Sequence, residues 1–381
     1  MNKKLKRIVL LTILLFDIFT INFFVHANTS DAIQKGIENY KLNDVINTLE
    51  EYVEDVNLDE VKQDLLEGNG IEISNFFNAI INMLFKEIKL ELKTAVEILM
   101  VLVLLGLIKC LELEKGSINK VINILSFLIL TSIILKNYTN ILTLFKNTIT
   151  SITNITEIIS PVILGILIAT GEVVTSGIIG PVIMFLTSLV GVSISYIVLP
   201  LLNISLVFKI ISSVSESVNL DKLGSFLSSS AVWIISIMFT IVLGVLGLET
   251  SVSTSVDEIT VKTTQAAVSN FVPVVGKFVS DSTEIVMGAT EVIGKAVGVI
   301  GMLVMFIVLL LPAIKILLIG AIYNFMSGIS ELMVKDSKTS GIIDMFAKQY
   351  NKLAGIMIGV GVTFIITIAL AISLIGKAVG T

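Results

Sequence analysis

Five charged side chains lie close together in an otherwise apolar part of this chain. They are Lys277, Asp281, Glu284, Glu291 and Lys295. Glu291 precedes Lys295 by four residues, which is the favourable order for an ion pair on a helix. An unpaired charge at bilayer depth costs at least about 2.5 kcal/mol, so such residues face water or a partner. The stripe therefore predicts a polar path or gate and suggests no catalytic step.

The residues around this stripe predict a helix, a break and a second helix. A capping box that starts at Ser255 predicts the first helix. Pro273 and Gly276 interrupt it, and Asp281 is placed to cap the second. We interpret the broken segment, 255–298, as a re-entrant hairpin or paired half-helices at membrane depth. A solvated amphipathic loop is the alternative.

Proline and glycine mark the places where helices are expected to bend or meet. All five prolines lie in apolar surroundings: Pro161, Pro181, Pro200, Pro273 and Pro312. In lipid, the carbonyls that proline leaves unpaired need protein or water partners, so these positions predict either simple kinks or discontinuous helices. Gly294 and Gly298 form a small-xxx-small pair, which predicts close helix contact.

Residue types that carry catalysis are scarce. The sequence has one cysteine, Cys110, and one histidine, His26. This composition excludes an intramolecular disulfide and a Cys/His metal cage, and no P-loop motif occurs. We expect no enzyme, no catalytic residue, no cofactor and no metal, so that any nucleotide hydrolysis would come from a partner.

The composition predicts an all-α polytopic membrane protein. Of 381 residues, 54% are hydrophobic and 15% are charged, against about 25% charged in soluble domains. Acidic residues outnumber basic ones, 31 to 26, which argues against a nucleic-acid partner and leaves membrane lipid as the expected surroundings.

The N-terminal residues predict export. Residues 1–27 have the basic start, short apolar run and small-residue end of a signal peptide, cleaved between Ala27 and Asn28. An uncleaved anchor is the alternative. Residues 28–93 would then form a small extracytoplasmic helical region. Its amphipathic helix, 71–90, would lie on the membrane, dock a partner or pack on the membrane domain.

The membrane domain is assigned to residues 94–381, with about seven or eight spans. The candidate spans are 95–109, 121–135, 158–170, 177–207, 231–248, 296–325 and 354–376. The positive-inside rule places the lysines of 109–120 in the cytoplasm and favours the same side for the loop 331–352. Seven crossings put that loop on the opposite side. An additional crossing in 249–295, or a doubled span over 177–207, would restore agreement.

Three stretches resemble a known family. They are GPVIMFLTSLVGVSISYIVLPLL (180–202), the region 243–304 with its NFVPVVG block, and PAIKILLIGAIYNF (312–325). Together they resemble the stage III sporulation protein AE family, and the resemblance covers roughly residues 71–330. It implies a multi-pass protein of the mother-cell membrane around the forespore that acts during engulfment and supplies no catalytic residues.

The resemblance also implies partners. These are the other stage III A sporulation proteins, including a separate ATPase, and commonly stage II sporulation protein Q across the intermembrane space. Three functions stay open at this point. The chain could be a channel or export-gate component, a secondary transporter of a small solute, or a structural scaffold for the complex.

Overall fold

The structure is a computed structural model that describes residues 85, 88–89, 92–93, 95–104, 106–107, 117–169, 173–214, 219–242, 244–245, 273–334 and 337–373. For residues 273–292 and 295 it describes the backbone alone. The signal peptide and nearly all of the N-terminal region lie outside the described residues. Of the amphipathic helix over 71–90, only Phe85, Ile88 and Lys89 are described, and all three are helical and exposed.

All the secondary structure in these ranges is helical, which confirms the predicted all-α class. The helices are α1 (Ala95–Leu104), α2 (Ser117–Ala169), α3 (Val173–Ser193), α4 (Leu199–Val214), α5 (Asp221–Val242), α6 (Pro273–Val334) and α7 (Ser337–Ser373). A π-helical turn, Ile194–Val198, joins α3 to α4. The chain between them is therefore one long rod with a local change of winding.

Five stretches in the described part of the chain are long and apolar enough to cross a membrane: Phe127–Ala169, Ser176–Ser213, Asp221–Val242, Ala296–Leu332 and Thr339–Ile372. The chain is thus a multi-pass membrane protein. α2 has 53 residues and α6 has 62, which makes them about 80 and 93 Å long. The hydrocarbon core is about 30 Å thick, so both helices extend well beyond it.

The helices alternate in direction. Gly298 and Gly320 of α6 pack against Ile372 and Asn351 of α7, so these two helices form an antiparallel hairpin. α2 is antiparallel to α6, since Gly301 packs against Ile159 while Asn137 meets Tyr323. Further contacts show that α3–α4 is antiparallel to α2. They also show that α5 is parallel to α7. The result is an up-and-down bundle with α6 and α7 at its centre.

One continuous helix replaces two predicted spans. The stretches 121–135 and 158–170 were interpreted as separate crossings, but both belong to α2. This change removes one crossing and corrects the topology. The start of α2 at Ser117, the end of α6 at Val334 and the start of α7 at Ser337 lie at the same end of the bundle. With one predicted crossing fewer, the positive-inside rule no longer requires the extra crossing or doubled span that the sequence suggested.

The helix that carries the charged stripe starts earlier than predicted. α6 begins at Pro273 and runs unbroken through Gly276, so Asp281 lies in its third turn and the prediction that it caps a second helix is wrong. Proline is well tolerated in the first turn, where its missing N–H has no intrahelical partner. The helix predicted upstream of Pro273 lies outside the described residues.

Three other prolines sit within helices that continue past them. Pro161 lies in α2, Pro181 in α3 and Pro312 in α6. Pro200 is the second residue of α4, directly after the π-helical turn. Only Pro200 therefore coincides with a change of helix type in the described ranges.

Candidate functional site

A hydrogen-bonded polar cluster lies inside the bundle, among apolar side chains. The Tyr138 hydroxyl donates to Oδ1 of Asn203 at 3.1 Å and accepts from Nε2 of Gln349 at 3.3 Å. Gln349 also donates to the carbonyl oxygen of Leu202 at 3.1 Å. α2, α4 and α7 are thus joined through three side chains that are far apart in sequence. We call Tyr138, Asn203 and Gln349 the polar clasp.

Aromatic rings extend the clasp to α6. Tyr138 packs on Phe346 and Tyr350, with ring centroids 5.6 and 5.8 Å apart. Tyr350 packs edge-on against Tyr323 of α6 at 5.0 Å, and the Tyr323 hydroxyl accepts a hydrogen bond from Asn137. Edge-to-face pairs contribute about 0.5–1.5 kcal/mol beyond burial, so this layer fixes the register of four helices.

The outward face of α2 is polar for about six helical turns. Every exposed side chain from Lys136 to Glu157 is polar. They recur at the three- and four-residue spacing of one helix face: Lys136, Thr139, Asn140, Thr143, Lys146, Asn147, Thr150, Asn154 and Glu157. We call this surface, about 32 Å long, the α2 polar face.

The neighbouring helices are apolar at the same depth. Gly191 of α3 packs against Thr153 of α2, and the clasp sets Asn203 beside Tyr138, so α3–α4 runs alongside the α2 polar face. The exposed side chains there are Met184, Phe185, Ser188, Val192, Tyr196, Ile197, Pro200, Ile204 and Val207. α3–α4 thus presents a surface suited to lipid, whereas α2 does not.

The polar groups of α2 differ in whether the helix itself satisfies them. Thr139, Thr143 and Thr150 donate to backbone carbonyls four residues earlier, as hydroxyls do in membrane helices. The lysine, asparagine and glutamate side chains of the face make no hydrogen bond or ion pair with any residue that the structure describes. These groups need polar surroundings beyond the residues that the structure describes.

The π-helical turn lies next to the clasp. The Leu199 N–H bonds to the Ile194 carbonyl, one residue further back than in an α-helix. Pro200 has no N–H to donate, which weakens the α-helical pattern at this point. Single π-helical turns often occur at functional sites. Here the turn rotates α3 relative to α4 directly before Leu202 and Asn203, the two positions that the clasp holds.

The residues singled out from sequence are not brought together at the clasp. The five charged residues of the stripe belong to the part of α6 that precedes its apolar span: Lys277, Asp281, Glu284, Glu291 and Lys295. Gly294 and Gly298 are buried, and Gly298 packs against Ile372. The α2 polar face escaped the sequence analysis because its polar residues were interpreted as a connection between two spans. Their helical periodicity was the available signal.

Comparison with known proteins decides the family. The family described as stage III sporulation protein AE matches residues 56–374. The chain belongs to the stage III sporulation protein AE family. This confirms the resemblance that the sequence analysis drew from 180–202, 243–304 and 312–325.

One curated relative of the chain is stage III sporulation protein AE of Bacillus subtilis (strain 168). It is 23% identical over 256 residues, which are 67% of this chain and 64% of the relative. The match thus spans just under two thirds of the relative's length. No solved structure matches the chain. The family places the protein in sporulation, and its description names no reaction.

Proposed function

We propose that this protein is a channel or export-gate component of the stage III A sporulation complex, in the mother-cell membrane around the forespore. The observation that carries this proposal is the α2 polar face beside the apolar surface of α3–α4. The contacts of Gly180 with Leu164 and of Gly191 with Thr153 place Asn154 within about 3 Å of the depth of Val192, and Glu157 within about 3 Å of the depth of Phe185. In the assembled complex, we expect the α2 polar face to line a water-filled path.

The physical argument concerns the cost of leaving these groups in lipid. A charged or amide side chain at bilayer depth that faces lipid is strongly unfavourable, so such residues face a cavity, water or a partner. Glu157 has no partner within the described ranges, and α2 lies at the edge of the bundle. Neighbouring subunits that enclosed this face around water would satisfy it.

The charged stripe of α6 is proposed to continue the same path. Residues 273–295 precede the apolar span and provide about 34 Å of helix. Gly298 lies beside Ile372, so the part of α6 before Gly298 extends past Ser373, where the described part of α7 ends. Lys277, Asp281, Glu284, Glu291 and Lys295 would line an entrance, and a separate ATPase would supply energy.

The partners and role follow from this proposal. The other stage III A proteins would complete the wall of the path, and stage II sporulation protein Q would meet it across the intermembrane space. The path would support forespore development. The transporter alternative is favoured if two short, similar stretches, 160–172 and 272–284, form a true inverted repeat; in each, a glutamate follows a proline by eleven residues. Pro161 lies deep inside α2, whereas Pro273 begins α6, so the two positions are not equivalent.

The test compares apolar substitutions at matched depth. Asn154→Leu combined with Glu157→Leu should leave protein level and complex assembly unchanged, yet lower the yield of heat-resistant spores at least about tenfold. Val192→Leu is the control, because Val192 lies close to the depth of Asn154 on the apolar surface. Membrane immunoblots, co-purification of the complex and spore counts, in a host that lacks its own copy, are the measurements.

Two outcomes would contradict the proposal. Normal spore yield from the double variant would show that the α2 polar face lines no essential path. Loss of assembly with normal protein level would show that the face binds a partner directly, as a scaffold does. Glu284→Gln extends the test to α6, where the proposal expects an assembled complex and fewer spores.

A further inference from the structure

Two lysines, one from α4 and one from α7, contact α5 at positions one helical turn apart. Lys209 of α4 lies against Gly224 of α5, whose missing side chain leaves room for the lysine stem; a Cβ there would be 2.9 Å from Lys209 Cγ. One helical turn further along α5, Ser228 accepts a hydrogen bond from Nζ of Lys352. Residues one turn apart are about 6 Å from each other. We call Lys209, Gly224, Ser228 and Lys352 the lysine cleft.

The positive charge of the cleft is not neutralised by the described residues. Lys348 pairs with Asp344 at 2.6 Å. In the part of the chain that the structure describes, no carboxylate lies within 4.0 Å of Lys209 or Lys352. Instead, the charged groups that act on Lys352 are two other lysines, Lys209 and Lys348. Two like charges in a partly buried site repel each other, and an anion between them would relieve the repulsion.

The depth of the cleft matches the headgroup layer. Thr339–Ile372 and Ser176–Ser213 are both longer than the roughly 20 residues of one crossing. Within them, Lys352 directly precedes the 20 mostly apolar residues 353–372, and Lys209 directly follows Leu206, Val207 and Phe208. Trp233 lies five residues beyond Ser228, about 7.5 Å deeper, and is 69% exposed. Exposed tryptophan is enriched at the membrane–water interface. The cleft is therefore a short distance outside the hydrocarbon boundary.

We infer that the lysine cleft binds the phosphodiester headgroup of an anionic phospholipid. After its bond to Ser228, Lys352 keeps two N–H donors, and Lys209 has three. On the hydrocarbon side of the cleft, the exposed side chains of Ile204 and Val207 on α4 and of Trp233 on α5 are suited to acyl chains. A lipid with a charged headgroup and two apolar tails complements both parts of this surface. Basic pockets between membrane helices bind such headgroups.

The test measures lipid binding by the full-length protein in nanodiscs. Phosphatidylglycerol is compared with phosphatidylcholine, which has the phosphate but no net charge. The purified protein should prefer phosphatidylglycerol. Lys209→Gln and Lys352→Gln should each weaken that preference about fivefold, and the double variant about 30-fold. Lys352→Arg should keep it, which separates charge from folding. Lys222→Gln, on the exposed start of α5, is the matched control and should have no comparable effect.

Several results would overturn the inference. Equal binding of the two lipids, or an unchanged preference in the double variant, would show that the cleft holds no headgroup. Full competition by millimolar inorganic phosphate would identify a free-phosphate site. Glu216 lies in the segment that joins α4 to α5. If Glu216→Gln strongly raised affinity for phosphatidylglycerol, the Glu216 carboxylate, and not a lipid headgroup, would be the natural counter-ion of Lys209 and Lys352.

Discussion

The Tyr138 hydroxyl donates a hydrogen bond to Oδ1 of Asn203 at 3.1 Å, and this bond joins α2 to α4 across 65 residues of sequence. Asn203 lies five residues after the end of the π-helical turn, so the bond also fixes how α4 is rotated there. The same hydroxyl accepts from Gln349. A single oxygen atom thus links the first, second and last long rods of the bundle.

Tyr138→Phe removes only this oxygen and keeps the ring that packs on Phe346. We expect a loss of about 1 kcal/mol in the free energy of unfolding, since hydrogen bonds inside membrane bundles average about 0.6 and reach about 1.7 kcal/mol. Unfolding in mixed micelles measures it. Asn324→Leu on the exposed side of α6 is the control. Equal stability of Tyr138→Phe and the parent would show that the clasp contributes nothing.

Gly298→Leu should disrupt the hairpin of α6 and α7. A side chain at this position would meet Ile372, and small residues are what allow the two backbones to approach. Gly328→Leu is the matched control on the same helix, because open space surrounds that glycine. We expect reduced membrane levels for Gly298→Leu alone. Equal levels of both variants would mean that the contact tolerates a larger side chain.

The α2 polar face can be probed by labelling at one depth. In a Cys110→Ser background, Thr150→Cys should react with a small hydrophilic maleimide, because the proposed path contains water. Val192→Cys, on the apolar face beside it, should not react. The measurement is the labelled fraction in sporulating cells. Similar slow labelling at both positions would indicate that lipid or protein covers α2 as completely as α3.

The π-helical turn indicates which single-residue deletion the protein should tolerate. Removing Ile197 should convert the turn to α-helix while Asn203 still faces Tyr138, because the turn holds one residue more than an α-helix needs. Protein level should therefore be kept. Removing Ile204 from α4 should rotate the following residues by about 100° and lower the level. Comparable losses from both deletions would show that the turn does not accommodate a missing residue.

Sequence predicted the helical class, the family and most of the apolar spans, because these depend on composition and local pattern. It did not predict that α2 is continuous. The polar residues from Lys136 to Glu157 are helical by periodicity, but their polarity indicated a connection. The clasp was missed for a different reason. Its bonds join residues 65 and 211 positions apart, and a lone tyrosine or glutamine gives no local signal.

The alternation of the long helices gives the bundle a direction. Five rods that reverse at each turn, from α2 to α7, leave the start of the first and the end of the last on opposite surfaces. One surface holds the lysine cleft, the start of α2, the end of α6 and the start of α7. The other holds the extension of α6 with its mixed charges. The two surfaces are chemically unlike. A molecule that approaches from one compartment therefore meets different charged groups than a molecule that approaches from the other compartment.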